Sequence, residues 1–314
     1  MAKLGFLFAG QGAQYVGMGK EFFDKFDESK EIFEISSNAL GIDMKELCFN
    51  DKEGLLNKTE FTQPAIITTN MAILSVLKKL GINSDISCGL SLGEYSALIH
   101  SGAINFEDGV KLVKKRGKFM QEAVEEGKGG MVAVLRMNKE QVDEVIKKSS
   151  EFGIVEGANY NSPAQIVISG ELKALEKAIE FVKEARGRAI KLPVSAPFHC
   201  SMLQPAAEKL EQELENIKIN KINGTVMSNV KGEAYSEDDS IIELLTSQVK
   251  KSVLFINDIQ NMIDAGVDTF IEIGPGKALS GFVKKIDKNV TVLNVEDLNS
   301  LDKTLSKLKE MEVI

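Results

Sequence analysis

Histidine is nearly absent from this 314-residue chain, which has only His100 and His199. Chemistry that needs an imidazole near neutral pH therefore has two candidates. Cysteine is almost as scarce, with three residues at positions 48, 88 and 200. That spacing makes neither a disulfide framework nor a C-x-x-C zinc or redox pair. Two histidines without a cysteine cluster leave little for zinc, so no such metal is expected, although carboxylate-bound magnesium stays open. Tryptophan is missing altogether. No apolar run approaches the roughly 18 residues of a membrane span, so no membrane partner is expected. Near the first residue there is one Lys and a short apolar stretch, and no small-residue cleavage site follows it cleanly. Residues 4–9 read as a first strand rather than a secretory signal. Positive charge is in deficit, with 38 Lys plus Arg against 46 Asp plus Glu and a net charge of −8. Such a chain is a poor binder of phosphate backbones, so no nucleic-acid partner is expected. The expectation that these absences leave is a reduced, cytoplasmic protein.

What is present is an ordinary globular mixture, 43% hydrophobic and 27% charged. The length suits about two domains, or one large domain with an insertion. Strand patterns at 4–9, 86–88, 225–229, 269–273 and 290–295 alternate with helical patterns. The helices cover 21–40, 65–80 (opened by Gln63-Pro64), 94–101, 106–126, 202–216, 241–265 (broken near Lys251), 278–286 and 300–310. This alternation argues for an α/β domain with a parallel sheet. At Gly127-Lys128-Gly129-Gly130 the rhythm changes. Strand patterns at 131–136, 154–159, 165–169 and 188–194 then combine with helical ones at 139–149 and 172–185. The order βαββαβ is ferredoxin-like. The expected organisation is a discontinuous large α/β domain, 1–126 and 197–314, with a small ferredoxin-like domain inserted at 127–196.

Gly89-Leu90-Ser91-Leu92-Gly93 matches G-x-S-x-G, with an apolar strand before it and a helix after it. A sharp strand-to-helix turn exposes the serine hydroxyl, and small flanking residues let the two elements approach. The helix N-terminus offers N–H groups to an oxyanion. The alternative is a Gly-rich turn without chemistry. A base for Ser91 follows by elimination. His100 comes nine residues later, about 900° round and roughly 13 Å along one helix, on the opposite face. His199, in Pro197-Phe198-His199-Cys200 just after the inserted domain, is left as the general base.

Six segments then carry a family resemblance: Gly10-Gln11-Gly12-Ala13-Gln14, Gly89-Leu90-Ser91-Leu92-Gly93-Glu94-Tyr95-Ser96-Ala97, Arg116-Gly117, Asn159-Tyr160-Asn161-Ser162-Pro163, Phe198-His199 and Gly274-Pro275-Gly276. In this order they resemble the malonyl-CoA:acyl carrier protein transacylases, the acyltransferase family of fatty-acid and polyketide synthesis. They span residues 10 to 276, nearly the whole chain. The resemblance implies an α/β-hydrolase-like large domain and ping-pong transfer of malonyl from malonyl-CoA to the phosphopantetheine thiol of acyl carrier protein. Ser91 would carry the ester and His199 would be its base. The backbone N–H groups of Gln11 and Leu92 would form the oxyanion hole. The backbone carbonyl of Gln248 would orient His199, although an ordinary polar helix residue is the alternative there. Arg116 would bind the malonyl carboxylate, against the reading of 111–116 as a solvated, Lys-rich helix face. Phe198 matches the malonyl-type loop and would crowd a branching methyl. Asn161 would line the site or simply form a turn. No cofactor is implied, since the CoA thioester is the substrate, and a monomer is expected. Carrier proteins of this kind are acidic, so docking on an acidic enzyme needs a local basic surface. Lys277, Lys284 and Lys285 are the candidates, with Arg186 and Arg188 as a second group; each also reads as a solvated face. One position departs from the family pattern, where the residue before the nucleophile is usually His and here is Leu90.

Two other readings compete. An esterase of the α/β-hydrolase type expects its His near the C-terminus, whereas about 115 residues follow His199. A non-enzymatic scaffold with a vestigial site is the other. Dinucleotide binding at Gly10-Gln11-Gly12 is spoiled by Tyr15 at the third glycine position.

Overall fold

Strands form where apolar and β-branched runs are bounded by glycine or polar turns. In chain order they are β1 (Leu4–Phe8), β2 (Ile86–Gly89), β3 (Gly129–Leu135), β4 (Val155–Ser162), β5 (Gln165–Glu171), β6 (Arg188–Lys191), β7 (Thr225–Ser228), β8 (Glu233–Ala234), β9 (Thr269–Ile273) and β10 (Thr291–Val295). The computed structural model describes residues 2–194 and 196–314. The chain divides into two compact units. The first comprises Met1–Gly117, Ile217–Ser228 and Ile259–Ile314, and the second Lys118–Asn216 and Asn229–Asp258. The second unit therefore takes in more of the chain than the ferredoxin-like segment alone.

In the first unit β10, β9, β1, β2 and β7 lie side by side, every neighbouring pair parallel. All residues of β1, β2 and β9 are buried, as near-continuous apolar strands of a parallel sheet must be. Phe8 of β1 is in register with Gly89 of β2 and with Ile273 of β9. The turns that follow these strands, at 10–12, 90–91 and 274–276, thus leave the same carboxyl edge at the same level. That edge is where parallel α/β sheets bind ligands.

The second unit holds an antiparallel sheet in the order β4-β5-β3-β6. With helices Lys139–Ser149 and Leu172–Glu184 it makes the βαββαβ ferredoxin-like arrangement. Helical spacing supplies its core: Val142 and Val145 from one helix, and Ala174, Leu175, Ala178 and Val182 from the other, close on Val132, Val134, Ile166 and Ile168. Asn138 opens the first of these helices with a capping box that includes Gln141. Beyond the small sheet, helix Ile241–Lys250 is followed by Val253. The amide of Val253 donates to Ala158 O at 2.8 Å, and its carbonyl accepts from Tyr160 at 2.9 Å.

Several boundaries differ from the sequence reading. The helix expected at 21–40 is two, Lys20–Lys25 and Asp27–Leu40, because Phe26 is extended between them. A short helix, Met44–Phe49, is added, its start capped by the Asp43 carboxylate. The helix expected to open at Gln63-Pro64 begins at Thr59 and keeps Pro64 inside. Proline costs a helix one backbone hydrogen bond, but here sixteen of the 21 residues are buried, and packing outweighs that loss. The break near Lys251 is present, with helices Ile241–Lys250 and Phe255–Asp264 on either side.

Candidate active site

Ser91 follows β2 and is the N-cap of helix Leu92–His100, with φ 53° and ψ −99°. A positive φ is rare for a residue other than glycine and is strained. The glycines around it make the turn possible. A β-carbon on Gly89 would overlap the backbone of Gly93, and one on Gly93 would overlap the Phe8 carbonyl. Gly10 stands likewise against the Leu90 carbonyl. The turn after β1 and the turn at Ser91 are therefore in direct backbone contact. This brings the segment of Gln11 beside that of Leu92, the first residue of the helix. N–H groups at a helix start have no intrahelical acceptor and carry the positive end of the dipole. Leu90 contributes through its backbone here, its carbonyl accepting from the Gly93 amide at 2.9 Å.

Arg116 lies on helix Phe106–Glu122 and is only 1% exposed. The solvated-face reading of this residue is therefore wrong. Gly117 explains its reach: a β-carbon there would overlap the Thr59 carbonyl, so the two helices meet at van der Waals distance. One turn along from Thr59, Gln63 accepts from Arg116 Nη1 at 2.9 Å. Arg116 Nη2 donates to Ser91 Oγ at 3.1 Å. The guanidinium also stands over the Tyr95 ring, 5.1 Å from its centroid. Burial draws its pKa downward, opposed by Tyr95 and Glu94. Gln63 Nε2 donates onward to Gln11 Oε1 at 3.3 Å, and Gln11 Nε2 to Thr59 Oγ1 at 3.3 Å. Sequence reading assigns Gln63 only to a helix start, yet it links the arginine to the turn after β1.

In the second unit His199 is 3% exposed and has a positive φ of 61°. Its Nδ1 stands 2.7 Å from the backbone carbonyl of Gln248. A carbonyl only accepts, so Nδ1 carries the proton and Nε2 keeps its lone pair. Gln248 is in the last turn of helix Ile241–Lys250, where carbonyls lack intrahelical donors and the dipole is negative. The ring is held to that end of the helix by this hydrogen bond. Phe198 is buried beside His199 in the chain. Asn161 sits on β4, next to a register shift between Tyr160 and Ser162. It is 5% exposed, and its Oδ1 has no hydrogen-bond partner among the described residues.

The other histidine serves the fold. His100 Nε2 pairs with Ser84 Oγ at 3.1 Å, and its ring packs on Phe6 and Phe8. Burial, helped by Lys78, pushes its pKa down to about 4. The thiols are poor nucleophiles: all three cysteines are free and buried. Burial pushes Cys200 up to about 11 and Cys48 well upward too. Lys277, Lys284 and Lys285 are exposed, as are Arg186 and Arg188. Lys284 and Lys285 lie in the last turn of helix Ala278–Ile286, where a cation also complements the dipole. Among the described residues no group of three or more His, Cys, Asp or Glu could hold a metal ion. No helix there is long and apolar enough to cross a membrane.

The model of the acyl transferase domain family matches residues 5–303. The malonyl CoA-acyl carrier protein transacylase of Bacillus subtilis is 43% identical over 312 residues, 99% of this chain and 98% of that protein. A crystal structure of malonyl CoA-acyl carrier protein transacylase from Clostridium perfringens is 86% identical, covers 99% of each chain and superposes with a TM-score of 0.98. A malonyl-transacylase in complex with its type II polyketide acyl-carrier protein is 36% identical, with a TM-score of 0.94 over 98% of this chain and 100% of that one. Matched along nearly its whole length in sequence and in fold, the chain belongs to the acyl transferase domain family.

Proposed function

We propose that this acyltransferase moves the malonyl group from malonyl-CoA to the phosphopantetheine thiol of acyl carrier protein, supplying extender units for fatty-acid synthesis. The carrying observation is the Arg116 guanidinium 3.1 Å from Ser91 Oγ. In a malonyl ester the free carboxylate lies three bonds beyond that oxygen. An arginine that reaches the oxygen itself is placed to grip the carboxylate, and its planar fork does so with two parallel hydrogen bonds. An acetyl group offers nothing for the fork to hold.

Ser91 Oγ attacks the thioester carbonyl while His199 Nε2 takes its proton. The oxyanion is held by the backbone N–H groups of Gln11 and Leu92. As the intermediate collapses, the C–S bond breaks and the departing CoA thiolate takes the proton from His199. The second half runs in reverse. His199 removes the proton of the pantetheine thiol, the thiolate attacks the Ser91 ester, and the serine alkoxide recovers its proton. The Gln248 carbonyl replaces the carboxylate of a triad by keeping the Nδ1 proton in place. The buried, unpartnered Asn161 Oδ1 offers an acceptor to an N–H of the pantetheine arm, and Phe198 narrows the acyl site. The CoA thioester is substrate, and the scheme uses no cofactor or metal. Lys277, Lys284 and Lys285 dock the acidic carrier protein, with Arg186 and Arg188 as a second basic group. The enzyme works as a monomer in the cytoplasm, a setting that its free buried thiols fit.

A transfer assay from labelled malonyl-CoA to holo carrier protein tests this reading. Ser91→Ala should abolish transfer, and His199→Ala should lower it by about 10²–10⁴-fold. Full activity of His199→Ala, or label released as free malonate instead of carrier-bound malonyl, would overturn it.

A further inference from the structure

The Gly274-Pro275-Gly276 turn after β9 takes no part in the chemistry above, nor does the polar side chain buried against it. Asn70, on helix Thr59–Lys79, is completely buried. Its Nδ2 donates to the Ala9 carbonyl at 3.0 Å and to Ser96 Oγ at 3.1 Å. Its Oδ1 lies against Gly274, where a β-carbon would overlap it and come within 2.8 Å of Ala9 Cβ. Gly274 has φ +124°, a conformation that side-chain-bearing residues rarely adopt. One amide thus touches three segments that meet at the carboxyl edge of the sheet. Ala9 is also held from β9, its own N–H donating to Ile273 O at 3.1 Å.

Two of these contacts bear on the reaction. Ala9 stands two residues before Gln11, and Ser96 stands one helical turn after Leu92. Gln11 and Leu92 supply the two oxyanion donors. The two N–H bonds of Asn70 diverge from a single nitrogen, so the turn after β1 and the nucleophile helix are tied at a fixed separation. A donor is effective only within about 2.7–3.1 Å of the developing oxyanion, and a support that slackens by about 0.5 Å loses that geometry.

We propose that Asn70 is a positioning residue for the oxyanion hole, fixing the spacing of the Gln11 and Leu92 amides by holding Ala9 and Ser96 on one side-chain nitrogen. This rests on the roles given to Ser91, Gln11 and Leu92 in the proposed function. The test is rapid-mixing measurement of CoA release from malonyl-CoA and from acetyl-CoA without carrier protein. Burst amplitude counts folded, competent sites, whereas burst rate reports stabilisation of the oxyanion. Asn70→Ala should keep the amplitude and slow the burst by about 10- to 100-fold, less than the 10²–10³ of losing a whole donor. The slowing should be equal for both thioesters, with the half-saturating concentration within roughly two-fold. Asn70→Asp, of the same shape without the two donors, should match it. Ser96→Ala removes one contact, and should show a smaller slowing of the same kind even if Asn70→Ala fails to fold. A burst rate that stays at the wild-type value while only amplitude falls would overturn the proposal, as would slowing confined to malonyl-CoA. Ser91→Ala runs beside them. A persisting burst there defeats the Ser91 reading, whereas a lost burst there with wild-type rates in the Asn70 and Ser96 variants defeats the Asn70 proposal alone.

Discussion

Replacing Arg116 by Ala should convert a malonyl-selective enzyme into one that no longer distinguishes malonyl from acetyl. The side chain is 1% exposed and held by Gln63 and the Tyr95 ring, so its fork is preorganised and little ordering remains for the substrate to bring about. Charge-assisted hydrogen bonds in such a place are worth about 1.5–3 kcal/mol each. A carboxylate that loses the pair is left desolvated, and the expected cost is about 3–4 kcal/mol in the transition state. At 1.36 kcal/mol per tenfold, kcat/KM for malonyl-CoA should fall by about 10²–10³-fold. Acetyl-CoA brings no carboxylate, so its kcat/KM should hold or rise. The truncation removes the Arg116 hydrogen bond to Gln63 Oε1, and a lost hydrogen bond costs about 0.5–1.5 kcal/mol in stability. Both substrates should therefore be assayed well below the variant's melting temperature. Arg116→Lys keeps the charge without the fork and should fall between the two. The assay is steady-state transfer of each acyl group to carrier protein. An equal loss on both substrates would refute the carboxylate role and make Arg116 a structural residue of the Ser91 turn.

Three further outcomes are expected. His100→Asn should transfer malonyl at close to the wild-type rate, but its stability should respond differently to acid. The folded-state pKa of His100, about 4, lies below the free value of 6.5. The unfolded chain therefore takes up the proton first, and this histidine's contribution is full above pH 6.5 and is lost as pH falls towards 4. Denaturant midpoints at pH 7 and pH 4.5 should differ less for His100→Asn than for the wild type. Gly93→Ala, whose methyl overlaps the Phe8 carbonyl, should lose about 1–3 kcal/mol of stability in a urea melt together with its capacity to load malonyl. Lys284→Glu should weaken transfer to the carrier protein and flatten its salt dependence, while CoA release from malonyl-CoA stays unchanged. Wild-type transfer that is indifferent to salt would remove the docking role.

Much of this arrangement is legible in the sequence because local chemistry forces it. Gly89 and Gly93 mark the Ser91 turn, since only glycine allows β2, β1 and the helix to approach so closely. The βαββαβ order follows from alternating periods of two and 3.6 residues, and Asn138 with Gln141 marks a helix start there. Arg116 is harder, because a run of lysines precedes it. The signal lies in the helix period: Leu112, Val113 and Met120 form a buried stripe, and Arg116 falls within it, three or four residues from each member. Gln63 has no comparable mark. Its helix is buried on nearly every side, so no polar face singles it out, and its partner Arg116 is 53 positions away. The start of that helix at Thr59 has no side-chain cap to mark it, and its close approach to Gly117 is between residues far apart in sequence. The role of Asn70 depends on the register of three strands and is invisible until β1, β2 and β9 are aligned.

The central claim is that Ser91 carries the acyl group. The most direct test is intact-protein mass spectrometry after brief exposure to malonyl-CoA, with the adduct mapped by proteolysis. One malonyl ester on Ser91 is expected, absent in Ser91→Ala and discharged when holo acyl carrier protein is added. No adduct under turnover conditions, or one that persists in Ser91→Ala, would contradict it.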